Sequence, residues 1–196
     1  VSFLPSDLSY PDHVPEHVQS ALRGAELIHD KQTVESAVDR VAVGITADLQ
    51  DADPVLIAVL HGGLTFAGML MRRLVFPLEQ GYVHVGRYAD AQSGGDLRFK
   101  GAQTPSLKGR NVLLVDDILD QGTTLQFLRA WAEEEGATGV HSACLVEKQL
   151  ALHSPSRPAM TYAALQCEDR FLIGCGMDYA GYGRNLPGIF AVAKDD

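Results

Sequence analysis

Three carboxylates stand close together in the run Val112-Leu113-Leu114-Val115-Asp116-Asp117-Ile118-Leu119-Asp120, and Gln121-Gly122-Thr123-Thr124 follows directly. Residue types in this order suit a definite chemistry. Adjacent carboxylates accept hydrogen bonds from sugar hydroxyls and match a hard cation such as magnesium. A short Gly/Thr turn opening a helix presents backbone N–H groups to an anion. Four apolar residues ahead of the acids predict a buried strand, and the amphipathic run 124–135 predicts the helix. One segment would then hold a phosphate, a ribose and a metal. The plainer reading, a buried strand whose acidic end caps the next helix, suits one carboxylate better than three beside this turn. The turn is no Walker A loop, because no G-x-x-x-x-G-K-[ST] pattern occurs.

Elements able to position this segment surround it. Apolar residues at helical spacing predict helices over 16–29 and 33–49, the second with the stripe Val34, Val38, Val41, Ile45 and Leu49. Asp51-Ala-Asp-Pro54 ends that helix. The wholly apolar run 55–60 predicts a buried strand, His61-Gly62-Gly63 a tight turn, and 64–74 another helix. Further strands are predicted over 82–88, 111–115, 139–146, 162–167, 171–175 and 188–193, with Gly136 closing the helix after the acidic segment. The polar, Gly-rich stretch 90–101 reads as a loop or hairpin, and 153–158 as a break. Strands alternating with helices imply an α/β fold with a mostly parallel twisted sheet flanked by helices. Ligands of such sheets lie beyond the carboxyl ends of the strands. The acids, the His61 turn and Lys148 all fall at predicted strand ends, so three distant segments converge on one edge.

The 196 residues suffice for one sizeable domain, and 46% hydrophobic with 21% charged residues is globular composition. A net charge of -9 argues against a protein that coats nucleic acid, yet allows an anionic substrate held by a few local cations. Three cysteines without C-x-x-C spacing predict reduced thiols in a cytoplasmic protein, two of them in apolar, core-like runs. No apolar run reaches the roughly 18 residues of a membrane span, and residues 1–12 lack the pattern of a signal peptide. No G-x-G-x-x-G follows a strand, which counts against a dehydrogenase. Residues 1–15 read as an irregular arm.

The block from Val112 to Leu125 resembles the phosphoribosyl-pyrophosphate (PRPP) signature of type I phosphoribosyltransferases. Beyond it, Leu145-Val-Glu-Lys148, Asp169-Arg-Phe171-Leu-Ile-Gly174, and Met177-Asp178-Tyr179 leading to Arg184-Asn-Leu-Pro resemble the purine-salvage branch acting on hypoxanthine and guanine. The match in order and spacing runs from Val55 to the C-terminus. The resemblance implies a PRPP-binding α/β core over 37–150 and a small hood over 1–36 and 151–196 that receives the purine, within a single domain. It implies transfer of a phosphoribosyl group from PRPP to a 6-oxopurine, giving a nucleoside monophosphate and pyrophosphate with Mg2+ as cofactor. It also implies a homodimer or homotetramer, with no nucleic-acid or membrane partner.

Residue roles follow from the same resemblance. Asp120 is the expected general base. Asp116 and Asp117 would bind the ribose hydroxyls, directly or through magnesium, and Gln121, Gly122, Thr123 and Thr124 the 5′-phosphate. His61, Gly62 and Gly63 match the pyrophosphate turn, whose first peptide, Leu60–His61, can be cis in that family. Arg184 matches a pyrophosphate contact and Asp178 a magnesium ligand, direct or through water. Lys148 would donate to the purine 6-oxo group; an ammonium has donors only and therefore rejects a 6-amino group. Phe171 would stack on the base and the Leu172 backbone would read its other edge. Arg87 and Tyr88 fall in the flexible catalytic loop, Arg87 being either a cation over the leaving group or a surface residue. Two relatives of this reading stay open: a regulator that binds PRPP and then nucleic acid, which should show a basic face, and a phosphoribosyltransferase for xanthine or a pyrimidine.

Overall fold

The computed structural model describes residues 5, 9–87, 97–150 and 157–193. Their elements run α1 (Glu16–Arg23), β1 (Glu26–His29), α2 (Lys31–Leu49), β2 (Val55–Leu60), α3 (Gly63–Met71), β3 (Glu79–Arg87), β4 (Leu97–Gln103), β5 (Asn111–Leu119), α4 (Thr123–Glu134), β6 (Gly139–Gln149), β7 (Tyr162–Glu168), β8 (Leu172–Ile173) and β9 (Ile189–Ala191). Six strands form one sheet in the order β4-β3-β2-β5-β6-β7. Every pairing is parallel except β3 with β4. This is the expected α/β architecture.

The unbroken apolar runs of β2 and β5 follow from burial on both faces of the sheet. Leu56 and Ala58 of β2, with Leu113 and Val115 of β5, pack in one core with Val34, Val38 and Ile45 of α2 and Phe66 and Leu70 of α3. Their alternate neighbours Val55, Ile57, Val59, Val112 and Leu114 pack in a second core with Leu125 and Leu128 of α4. A third core joins Val18 and Leu22 of α1 to Ile173, Leu186 and Phe190. It underlies a three-stranded antiparallel sheet in the order β1-β9-β8.

Several segments differ in kind or extent from the sequence-based expectation. The expected helix over 16–29 stops at Gly24, whose N–H closes back on Ser20 O, and Glu26–His29 becomes a strand paired with β9. Glycine weakens helix continuation, and the antiparallel partner supplies the hydrogen bonds the helix would have made. α2 begins at Lys31, two residues early, because the Asp30 carboxylate accepts from Thr33 N–H at 2.8 Å and caps it. β5 continues through both adjacent acids to Leu119, its register running on to Leu119 opposite Glu147 of β6. Within the polar stretch 90–101 the hairpin alternative holds: from Leu97 it is strand β4, antiparallel to the preceding strand β3 at the edge of the sheet. Gly136 does close α4, with positive φ and Ala137 N–H bonded back to Ala132 O. All three cysteines are free and buried. Among the described residues no helix is long and apolar enough to cross a membrane.

Strand order positions the site. From β2 the chain moves outward through α3 to β3, then returns to place β5 on the other side of β2 and moves away through α4 to β6. Neighbouring strands β2 and β5 thus send their connections in opposite directions. A crevice opens beyond the carboxyl ends of such a pair, which is where open α/β sheets bind ligands.

Candidate active site

A cavity of about 360 Å³ occupies that crevice, lined by Gly62, Arg87, Asp116, Asp117, Arg184 and every residue from Ile118 to Leu125. Two helix N-termini border it. Gly62 is the N-cap of α3 and Gly122 the N-cap of α4, and neither helix start carries a side-chain cap. Gly122 takes φ 81°, the left-handed conformation that turns the chain from β5 into α4. The first-turn amides of α4 and the positive end of its dipole therefore address the cavity rather than a capping side chain.

Between the two helix starts lie the acids. Asp117 N–H donates to Asp116 Oδ1 at 2.9 Å. Burial, and then the charge of Asp117, push the Asp116 carboxyl well above the usual carboxylate range. Asp117 is also raised by burial, opposed by its hydrogen bond with Asp116 and by the Arg184 guanidinium. Two desolvated, mutually repelling carboxylates form a site that a cation or a set of hydroxyl donors would relieve. Among the described residues, no three His, Cys, Asp or Glu side chains form a ready metal cage. The donor set still fits magnesium. That ion keeps several waters and binds through one or two carboxylates plus substrate phosphates.

Asp178 sits on the small-sheet side. It accepts from Arg184 Nη2 at 2.6 Å and from Gly181 N–H at 2.7 Å. Arg184 Nη1 donates to Gly176 O, and a side chain at Gly176 would collide with Gly62 O. A side chain at Gly62 would in turn strike the Asp117 carboxylate. The turn after β2 is thus held between the backbone of the Gly176 loop and the Asp117 carboxylate, with no room for a side chain at either glycine. The Leu60–His61 peptide is cis. The exposed His61 ring packs edge-on against His84 of β3, 4.4 Å between centroids. His84 is held below the usual imidazole range by burial, by His61 and by Lys100.

Lys148 lies near the end of β6 with only 11% of its side chain exposed, 3.3 Å from Asp120 Oδ2 and 3.1 Å from Asp169 Oδ1. The Asp169 contact brings the following residues to the same corner. Phe171 is 53% exposed, an unusual degree for a large apolar ring, and meets Tyr179 edge-on at 5.7 Å. Leu172 is buried and starts β8, opposite Ala191.

Of the residues singled out from sequence, the cavity brings together Gly62, Arg87, Asp116, Asp117, Asp120, Gln121, Gly122, Thr123, Thr124 and Arg184. Lys148 joins through Asp120, and Asp178 through Arg184. His61 and Gly63 flank Gly62 in the adjoining turn, whereas Phe171 and Leu172 lie outside the cavity lining. Tyr88 lies outside the described residues. Sequence reasoning passed over three features. Gly176 and His84 carry no motif of their own. Arg157, within a stretch read as a break, donates to Asp120 O, Leu119 O and Lys148 O. A lone arginine between prolines gives no hint of such contacts.

Comparison with known proteins places this geometry. A family model described as a phosphoribosyl transferase domain matches residues 24–180. A hypoxanthine-guanine phosphoribosyltransferase of Streptococcus pneumoniae is 31% identical over 169 residues, 86% of this chain and 91% of that protein. A hypoxanthine-guanine-xanthine phosphoribosyltransferase of Tritrichomonas foetus is 28% identical over the same shares. A solved hypoxanthine-guanine phosphoribosyltransferase from Bacillus anthracis superposes with a TM-score of 0.76 at 26% identity, covering 86% of this chain and 98% of that one. The matched stretch runs through both walls of the cavity and most of the chain, and so this protein belongs to the phosphoribosyl transferase domain family.

Proposed function

We propose that the chain transfers the 5-phosphoribosyl group from PRPP to hypoxanthine or guanine, giving IMP or GMP and pyrophosphate. The observation that carries this reading is the contact between Asp120, on the phosphate-binding turn, and the nearly buried ammonium of Lys148. It sets a base for a purine ring proton beside a group that only donates, and the exposed ring of Phe171 follows two residues after Asp169, the ammonium's other partner. That combination fits a 6-oxopurine and disfavours a 6-amino one.

In this reading the 5′-phosphate rests on the amides of Gln121 to Thr124 and the ribose hydroxyls bond to Asp116 and Asp117. As the bond from the sugar's C1 to pyrophosphate breaks and the bond to the purine nitrogen forms, Asp120 takes the ring proton, near N7, and Lys148 donates to the 6-oxo oxygen. Arg184 and the backbone of the His61-Gly62-Gly63 turn face the leaving pyrophosphate, and Arg87 also lines the cavity. Asp116 and Asp117, with Asp178 directly or through water, would hold magnesium, which would supply charge neutralisation to the polyphosphate. The small sheet with α1 serves as the hood over the purine, presenting Phe171 and the Leu172 backbone to it. Dimer or tetramer assembly and a cytoplasmic setting belong to the same reading; three free, buried thiols suit a reducing compartment.

The test is direct. The protein is incubated with PRPP, magnesium and one purine at a time, and nucleotide formation is followed by absorbance. Hypoxanthine and guanine should react and adenine should not. No product with either 6-oxopurine overturns the reading.

A further inference from the structure

Arg157 has no place in the chemistry above, yet its contacts converge on the two residues that chemistry depends on most. Its side chain is only 10% exposed. Nε donates to Asp120 O at 2.7 Å, and Nη2 to Leu119 O at 3.1 Å and Lys148 O at 2.9 Å. Nη1 lies 3.6 Å from Glu147 Oε1. One guanidinium therefore ties the end of β5 to the end of β6 through three main-chain oxygens. The segment also backs the phosphate turn: a side chain at Gly122 would come within 2.7 Å of Pro158 Cδ and 3.3 Å of Arg157 Cγ.

We propose that Arg157 is a positioning residue for phosphoribosyl transfer, fixing the main chain from which Asp120 and Lys148 both project. The role rests on the roles proposed for those two residues. Its physical basis is the planar fork of arginine, whose five N–H donors in fixed directions can satisfy several carbonyls at once. Carbonyls at a strand end lose their ladder partners and need others. Satisfying those of Leu119, Asp120 and Lys148 from a single rigid group locks the spacing of base and oxo donor before any purine arrives. Reaction requires reacting groups held within a fraction of an ångström of productive geometry, and a displacement of about 1 Å costs on the order of 100-fold. Lysine in the same place is a point charge that can reach one or two of the oxygens but cannot hold all three.

The experiment compares wild type, Arg157→Gln and Arg157→Lys as full-length chains, measuring kcat, KM for PRPP, KM for hypoxanthine, the ratio of hypoxanthine to adenine turnover, and the melting temperature. Nucleotide formation by wild type decides the underlying reading separately, before any variant is compared. Given an active wild type, Arg157→Gln should lower kcat by about 10-fold or more. It should also narrow the hypoxanthine-to-adenine ratio and leave KM for PRPP within a few-fold. Arg157→Lys should recover part of the kcat. A merely structural arginine would move the melting temperature and leave the kcat of the folded fraction and the purine ratio unchanged; that result overturns the proposal. If Arg157→Gln fails to fold, Arg157→Lys decides alone: full wild-type kcat and selectivity overturn the proposal, and reduced values in a folded protein support it.

Discussion

Asp116 and Asp117 stand at the centre of the site, and their electrostatics have a measurable outcome. Burial and the neighbouring charge raise the Asp116 pKa in the folded protein. A carboxyl raised on folding contributes stability that is fully present below its unfolded pKa, about 3.9, and is lost as pH rises through the folded value. The free protein should therefore be relieved by Asp116→Asn, with a gain in melting temperature that grows from pH 4 upward. The shift should be about 2–4 °C for each kcal/mol relieved. A difference that stays flat with pH would refute this account. In the proposed reading the same variant should also lose PRPP affinity, because the ribose would lose a carboxylate acceptor. At Asp120, replacement by Asn should lower kcat by roughly 100-fold or more, the range of general-base loss, with a smaller change in PRPP binding. Lys148→Gln should weaken the preference for 6-oxo over 6-amino purines, since an amide both donates and accepts; competition between hypoxanthine and adenine measures it. Asp116, Asp117 and Asp120 were legible as candidates because three carboxylates stand at close spacing before a Gly/Thr turn, whereas the role of Lys148 came from the family resemblance. Arg157 was not legible, because its partners are backbone oxygens, which every residue possesses.

Among the elements, β5 and the start of α3 show how closely two backbones must approach. A side chain at Gly63 would collide with Val115 O and lie 3.0 Å from Asp116 Cα. Neither atom can rotate away. Gly63→Ala should cost about 1–3 kcal/mol in urea denaturation and weaken PRPP binding with it. Gly68, five residues along the same helix, has nothing within 4 Å of the corresponding position. Gly68→Ala should leave stability unchanged or raise it by roughly 0.5–1 kcal/mol. At this scale the sequence marked β2 to the residue, because burial on both faces demands an unbroken apolar run. It misread 26–29 as helix, since a short run beside a helical stripe shows no period of its own. Its strand character comes from β9, more than 150 residues later, which no local pattern reports.

Across the whole molecule, two cores serve the six-stranded sheet, the first also taking in Leu172, Ile189 and Ala191 of the small sheet, and a third packs the small sheet against α1. Phe190 is 1% exposed within that third core. Phe190→Ala should remove about 3–5 kcal/mol of packing, concentrated in the small sheet. If the small sheet receives the purine as proposed, KM for the purine should then rise more than KM for PRPP, which that reading assigns to the turn and acids of the large sheet. Equal rises would show that the two sheets act as one body in substrate binding. Alternation of strands and helices made the large sheet legible, and with it the crevice where the chain reverses direction. The small sheet draws on both ends of the chain, and such a union leaves no periodic trace.

In the free protein the Lys148 ammonium is shared between two carboxylates, 3.3 Å from Asp120 and 3.1 Å from Asp169. In the proposed reading, a ring carrying an oxygen at position 6 would compete for the ammonium and set the Asp120 carboxylate at liberty to receive a proton. A ring carrying an amine there would offer no lone pair in trade, and the carboxylate would stay engaged. Selectivity would then arise at turnover more than at docking, with adenine bound as a competitor and turned over far more slowly than hypoxanthine.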